Sequence, residues 1–142
     1  MKIVVGVDES PRSAGVLERA VIEARTHGAS LDIVHVFHQP PLAYVDFPVD
    51  VDAIAVAVRK SLWEFIDGLL DGVDDVEMEK IDLWGYPPDA LADHAADVGA
   101  DLLVVGTRSR GQIGALVLGS TSHRAIHIAP CDVLVVKAEE QE

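Results

Sequence analysis

The stretch that decides the fold is Leu102-Leu103-Val104-Val105-Gly106-Thr107-Arg108, an aliphatic run that ends at a glycine and opens into a loop. Such a run, without polar alternation, is typical of a strand buried on both faces of a parallel sheet. Similar runs occur at Ile3–Val7, Leu31–Phe37 and Val133–Lys137. A fifth segment, Val76–Leu83, differs because it alternates acidic and apolar residues, which predicts a strand with one face or edge in water.

Helical patterns lie between these strands. The first predicted helix has Ser10 as its cap and Pro11 in its first position, and it ends at Gly28. Two more helices are expected up to Gly72 and Gly99, and the last spans Ser120–Ile128. Parallel strands need crossover connections, and these run through the helices. The sequence therefore predicts an α/β fold in a single domain over residues 1–142: a doubly wound five-stranded parallel sheet with helices on both faces.

The amino-acid composition limits the kinds of partner and the cellular location that can be expected. The 142 residues carry 24 acids and 11 Lys or Arg, a net charge of −13, which argues against nucleic acid as a partner. No run approaches the ~18 apolar residues of a membrane span, and the N-terminus has no signal-peptide pattern, so we expect no membrane association and a cytoplasmic location. The single cysteine, Cys131, excludes an internal disulfide and is expected to be a buried structural thiol.

The window from Leu102 to Cys131 contains no Asp or Glu, where the average density predicts about five. It contains four glycines, three arginines and the hydroxyl run Ser120–Ser122. Glycine lets backbone amides approach a ligand closely, and a helix N-terminus offers free N–H groups with a partial positive charge. An anion site is indicated, with phosphate as the first candidate and Arg108 and Arg110 as its counter-charges or else as solvated loop residues.

Known nucleotide motifs do not fit this window. The glycine pairs Gly106/Gly111 and Gly114/Gly119 have the spacing of a P-loop but lack its lysine, and Gly6 alone does not make a dinucleotide fingerprint. Ligands of doubly wound sheets bind beyond the carboxyl ends of the strands, where strand order reverses. Asp8, which ends the first strand, then faces a ribose hydroxyl or a magnesium ion, or serves only in turn and cap chemistry.

Three segments resemble the universal stress protein family. They are Val104–Arg108, Leu118–Arg124 and Ala129–Val136, and the opening Ile3–Ser10 and the start of the third helix at Gly85-x-Pro87 are also similar. The resemblance covers the whole chain. It implies a sheet that dimerises through its last strand and a glycine-rich loop that holds phosphates in the ATP-binding members.

Carried over residue by residue, the resemblance implies that Gly106, Gly119, Ser120 and Thr121 hold phosphates, Asp8 faces the ribose or a metal, and Val36 and Val105 flank adenine. Ser109 stands where the family pattern has its second glycine. The full set expected to bind nucleotide is Gly6, Val7, Asp8, Val36, Val105, Gly106, Arg108, Ser109, Gly119, Ser120 and Thr121, with Asp8 also reaching nucleotide-bound magnesium.

The function expected from this reading is a small cytoplasmic stress-response protein that binds ATP or a related adenine nucleotide. It acts as a regulatory homodimer without robust turnover, since no convincing base completes a phosphotransfer site. Two alternatives stay open: a nucleotide-free dimeric scaffold, which Ser109 supports, and a slow ATPase or phosphotransferase. His123 and His127, four residues apart on the last helix, have a spacing that can bind zinc, but no third ligand is near in sequence, which favours surface histidines.

Overall fold

The computed structural model describes residues 1–37, 51–107 and 119–137, without the side chains of residues 51, 52 and 120. Strands and helices alternate throughout these ranges. The elements are β1 (Lys2–Val7), α1 (Ser13–His27), β2 (Ser30–Phe37), α2 (Val51–Leu69), β3 (Met78–Trp84), α3 (Pro87–Asp97), β4 (Leu102–Gly106), α4 (Ser120–Ile128) and β5 (Asp132–Val136).

The five strands form one parallel sheet in the order β3-β2-β1-β4-β5. β1 lies at the centre, with Val4 opposite Asp32 of β2 on one side and Leu103 of β4 on the other. The chain moves outward from β1 to β3 and then crosses back to β4. Strand order therefore reverses between β1 and β4, and the predicted doubly wound architecture is confirmed.

Helices cover both faces of this sheet. Alternate strand residues divide the core into two layers, because successive side chains on a strand point to opposite faces. One layer packs under α1 and α2 and includes Ile3, Val5, Leu17, Ile33, Leu62, Ile66 and Val104. The other packs under α3 and α4 and includes Val4, Val34, Leu91, Ala95, Leu103, Val105 and Ala125.

The first helix begins later than predicted, at Ser13 rather than Pro11. The side chain of Ser10 accepts the N–H of Arg12 at 3.2 Å, and its carbonyl accepts the N–H of Ser13 at 3.0 Å. Ser10 therefore forms a turn ahead of the helix instead of capping it, and Pro11 lies in that turn. α2 also ends earlier than expected, at Leu69.

The two edges of the sheet differ in character. β3 is an edge strand whose side chains are exposed or half-buried, as its acidic alternation predicts. Trp84 at its end is 57% exposed and lies 4.5 Å from the ring of Phe37, so it does not fill the core. β5 forms the opposite edge with half-buried aliphatic residues. Within the described ranges, no helix has the length and apolarity that crossing a membrane requires.

Candidate functional site

A cleft lies over the carboxyl ends of β1 and β4, at the point where strand order reverses. The ends of both strands, the first turn of α1 and the starts of α3 and α4 all meet there. The cavity measures about 150 Å³. It is lined by Gly6, Val7, Asp8, Arg12, Ser13, Val16, Val34, Val36, Pro87, Leu91, Val105, Gly106, Gly119, Thr121 and Ser122.

Asp8 is held in a fixed orientation at the end of β1. Its Oδ1 accepts the N–H of Ser10 at 2.8 Å and the hydroxyl of Ser13 at 3.0 Å. The N–H of Asp8 donates in return to the Ser13 Oγ at 2.9 Å. One carboxylate oxygen of Asp8 thus organises the turn before α1, and the residue also lines the cleft.

The start of α4 closes the other side of the cleft. Gly119 precedes the helix, and its N–H donates to the carbonyl of Thr107. The buried Ser122 hydroxyl lies 3.0 Å from the Gly119 carbonyl and 3.3 Å from that of Thr107. Gly119 has no side chain with which to cap this helix end, and the first N–H groups of a helix have no intrahelical acceptor. The backbone N–H groups of 120–122 are therefore the donors that α4 contributes.

Arg12 brings a positive charge to the cleft. It is 8% exposed and lies directly before α1. Among the described lining residues it is the only Lys or Arg, and Asp8 is the only acid. The sequence prediction omitted Arg12, because an arginine before a helix is usually a solvated residue. Its burial comes from the turn around Ser10, which no periodicity reveals.

The start of α3 supplies the apolar end of the cleft through Pro87 and Leu91, which were also missing from the predicted set. Gly6 allows this approach. A Cβ at Gly6 would lie 2.8 Å from the Leu91 Cδ1, closer than side chains tolerate. The glycine thus lets α3 pack against the end of β1, and its occurrence inside an aliphatic strand is the signal for that close contact.

An ion pair joins α3 to α4 beside the cleft. The Arg124 guanidinium donates to both carboxylate oxygens of Asp89, at 2.9 to 3.3 Å. This hydrogen bonding raises the pKa of Arg124 above its ordinary value. Both side chains are about half exposed, so the pair adds little to the stability of the fold.

Most of the predicted nucleotide-binding residues lie together. Eight of the eleven line the one cleft: Gly6, Val7, Asp8, Val36, Val105, Gly106, Gly119 and Thr121. Ser120 begins α4 beside them, and its side chain is not described. Arg108 and Ser109 lie outside the described residues. His35, near the end of β2, does not line this cleft: its ring nitrogens lie 3.1 Å from Glu9 and 3.7 Å from Asp82.

Comparison with known proteins gives one consistent family. The model of the universal stress protein family matches residues 1–137. Universal stress protein A homolog 1 of Coxiella burnetii is 34% identical over 144 aligned positions, which cover 97% of this chain and 96% of the relative. A universal stress protein of Thermus aquaticus is 35% identical over 133 positions, 93% of each chain.

Solved structures agree with these sequence matches. A universal stress protein in complex with cAMP is similar with a TM-score of 0.74 and 25% identity, over 98% of each chain. The universal stress protein of Archaeoglobus fulgidus in complex with dAMP is similar with a TM-score of 0.68 and 28% identity, over 96% of this chain and 98% of the other.

Proposed function

The chain belongs to the universal stress protein family, and on that premise we propose that it binds ATP or a related adenine nucleotide in the cleft between β1 and β4. Two structural neighbours were solved with adenine nucleotides, cAMP and dAMP. The observation that carries the proposal is the cleft at the reversal of strand order, with an apolar end and a polar end.

The apolar end suits the base. Val36 and Val105 line it from the sheet, and Leu91 and Pro87 line it from α3. A planar heteroaromatic ring between aliphatic side chains gains from the removal of its faces from water. We propose that adenine lies between Val36 and Val105, as the family resemblance implies.

The polar end suits the phosphates. Arg12 and Thr121 line the cleft, Arg12 from the turn before α1 and Thr121 from the first turn of α4. Backbone N–H groups at a helix N-terminus and a nearby guanidinium are the groups that bind phosphate oxygens in proteins. We propose that Arg12 pairs with the α-phosphate, and that Arg108 and Ser109 belong to the same phosphate site.

The volume of the cavity, about 150 Å³, is below the ~300–1,000 Å³ of most small-molecule sites. A whole nucleotide would therefore extend beyond the described walls. Among the described residues there is no group of three or more His, Cys, Asp or Glu suited to hold a metal ion. We propose that magnesium, where it takes part, is held mainly by the nucleotide's own phosphates, with Asp8 as its nearest protein carboxylate.

The cellular form we propose is a cytoplasmic regulatory homodimer of one domain. β5 is the supporting feature, because an aliphatic strand at a sheet edge invites pairing with a second copy. Light scattering after size exclusion should give about twice the chain mass of 15.2 kDa. A mass equal to that of one chain at micromolar concentration contradicts the dimer, and it does not bear on nucleotide binding.

Titration calorimetry with ATP, ADP, AMP, cAMP and adenosine tests nucleotide binding directly. Saturable binding of the adenine nucleotides is expected, and the absence of heat up to about millimolar ATP with magnesium contradicts the proposal. Retention of these ligands should also fall if the apolar end is filled by Val105→Phe, because the larger ring occupies the space assigned to adenine.

A matched pair of arginine variants separates the phosphate contact from general charge. Arg12→Gln should weaken AMP binding by about 10-fold to 100-fold and leave adenosine unchanged, since a hydrogen bond to a charged group is worth ~1.5–3 kcal/mol. Arg19→Gln is the control, because Arg19 is an exposed residue of α1 paired with Glu23. Equal losses in the two variants would show that only net charge matters.

Catalysis is tested by the rate of ADP release from ATP. A regulatory binder should show no more than slow turnover, and Oδ1 of Asp8 is already engaged by the Ser10 N–H and the Ser13 hydroxyl. Hydrolysis that disappears in Asp8→Ala, while ATP still binds, would favour the ATPase alternative. Turnover that survives the substitution does not belong to this cleft.

A further inference from the structure

His123 and His127 form a pair on the exposed side of α4 that nucleotide binding does not use. Both residues are exposed. They are four positions apart, so they lie one helical turn from each other on the same face. Their ring centroids are 5.2 Å apart, and the rings are inclined by 71°.

This separation fits a shared metal ion. An ion bound about 2.0–2.1 Å from each imidazole nitrogen lies about 3.2 Å from each ring centre, so a tetrahedral angle puts the two centres about 5 Å apart. The observed 5.2 Å matches that value. We propose that His123 and His127 form a two-imidazole site for a divalent transition-metal ion of the Zn²⁺ or Cu²⁺ class.

The positive charge beside the pair is partly compensated. The guanidinium of Arg124, which lies between the two histidines in sequence, is paired with Asp89 of α3. His127 lies in the last turn of α4, where the helix dipole favours positive charge. The net charge of −13 raises the local concentration of cations around the whole chain.

The ligand set selects the metal. Neutral imidazole binds Zn²⁺, Cu²⁺ and Ni²⁺ well, whereas Mg²⁺ and Ca²⁺ prefer oxygen ligands. The described residues bring no third His, Cys, Asp or Glu to the pair, so water completes the coordination. The site is therefore an open, exchangeable one rather than a closed structural centre.

The test uses the untagged full-length protein, freed of nucleotide, with Cu²⁺ followed by electron paramagnetic resonance and Zn²⁺ followed by calorimetry. Splitting from two imidazole nitrogens is expected in the copper spectrum. His123→Ala and His127→Ala should each remove one nitrogen and weaken Zn²⁺ binding by about tenfold or more. Affinity should also fall steeply on acidification, because only the neutral ring binds metal.

His27→Ala is the matched control. His27 is an exposed helical histidine that lies 3.4 Å from the Glu23 carboxylate, also four positions away. Its removal should leave the copper spectrum and the Zn²⁺ affinity unchanged. Metal binding that persists in the double variant His123→Ala/His127→Ala, or that is lost in His27→Ala instead, overturns the proposal. Zn²⁺ binding that does not saturate below about millimolar concentration also overturns the proposal.

Discussion

Replacement of Asp32 by Asn should destabilise the protein more than removal of any exposed charge. Asp32 lies in β2 with 1% of its surface exposed. Its Oδ1 accepts from the Lys2 Nζ at 3.0 Å, and its Oδ2 lies 3.0 Å from the His94 Nε2. One buried carboxylate thus joins β1, β2 and α3 at the end of the sheet opposite the cleft.

The expected loss in free energy of unfolding follows from the burial of Asp32. Removal of one partner of a buried ion pair costs ~3–5 kcal/mol, because the other charge is left without compensation. Lys2 retains 29% side-chain exposure and so keeps partial hydration, which puts Asp32→Asn near the lower end, at about 3 kcal/mol. For a chain of this size that loss corresponds to a Tm lower by roughly 10 °C.

Urea unfolding followed by circular dichroism measures the loss at neutral pH. Asp67→Asn is the control, because Asp67 pairs with Lys80 at the shorter distance of 2.6 Å but with both side chains about half exposed. That variant should lose less than ~1 kcal/mol. If the two variants lose the same free energy of unfolding, or if Asp67→Asn loses more, distance outweighs burial and the reasoning fails.

Three further predictions concern single sites. Gly6→Ala should cost about 1 kcal/mol, the lower end for overpacking, because the added Cβ would lie 2.8 Å from a Leu91 methyl group and only that side chain would have to shift. The cost should shrink in a Leu91→Ala background measured by the same urea titrations. Burial raises the pKa of Cys131. Its alkylation by iodoacetamide should therefore be slower than that of a free thiol at pH ~8 and should become faster only at higher pH. A rate equal to that of free cysteine contradicts this prediction. The hydrogen bonds from Arg25 hold the pKa of Asp75 below its ordinary value. The contribution of Asp75 to stability is therefore present above its unfolded-state pKa and is lost as pH falls through its folded-state pKa. A carboxyl NMR titration should show the lowered pKa, and a pKa that stays low in Arg25→Gln would refute Arg25 as the cause.

The class of fold was predictable because it depends on local patterns. Aliphatic runs such as Leu102–Val105 mark strands that are buried on both faces, and helical spacing between them forces parallel crossovers. Ser120–Ile128 was predicted with the observed bounds. The predicted start of α1 was wrong. The hydrogen bonds around Asp8, Ser10 and Ser13 form a turn that competes with the first turn of a helix. Side-chain contacts of this kind depend on geometry rather than periodicity.

The candidate site was predictable in part, because the strand ends follow from local patterns and the topology of the sheet brings those ends together. Asp8 and Gly119 are more than a hundred residues apart, yet both follow strand ends that a doubly wound sheet brings to one edge. Arg12 and Leu91 were missed because nothing in their own neighbourhood distinguishes them from a solvated arginine and an ordinary core leucine. Their place in the cleft depends on the turn before α1 and on the packing of α3 against Gly6, which only the tertiary structure provides.

The distribution of acids over the helix starts supports an anionic ligand independently of the cavity. An acid in the first turn of a helix stabilises it by ~0.3–1 kcal/mol, and this chain is rich in acids. Neither α1 nor α4 has one in its first turn, and both helices begin at the polar end of the cleft. α3 begins at the apolar end and does carry Asp89 in its first turn, paired with Arg124. Asp8, the one acid among the described lining residues of the cleft, precedes α1 and accepts the Ser13 hydroxyl, so acids are absent from the first turns of α1 and α4 but not from this end of the cleft as a whole. Helix stability alone would favour an acid in all three first turns, and the proposed phosphate site gives a physical reason for its absence from α1 and α4.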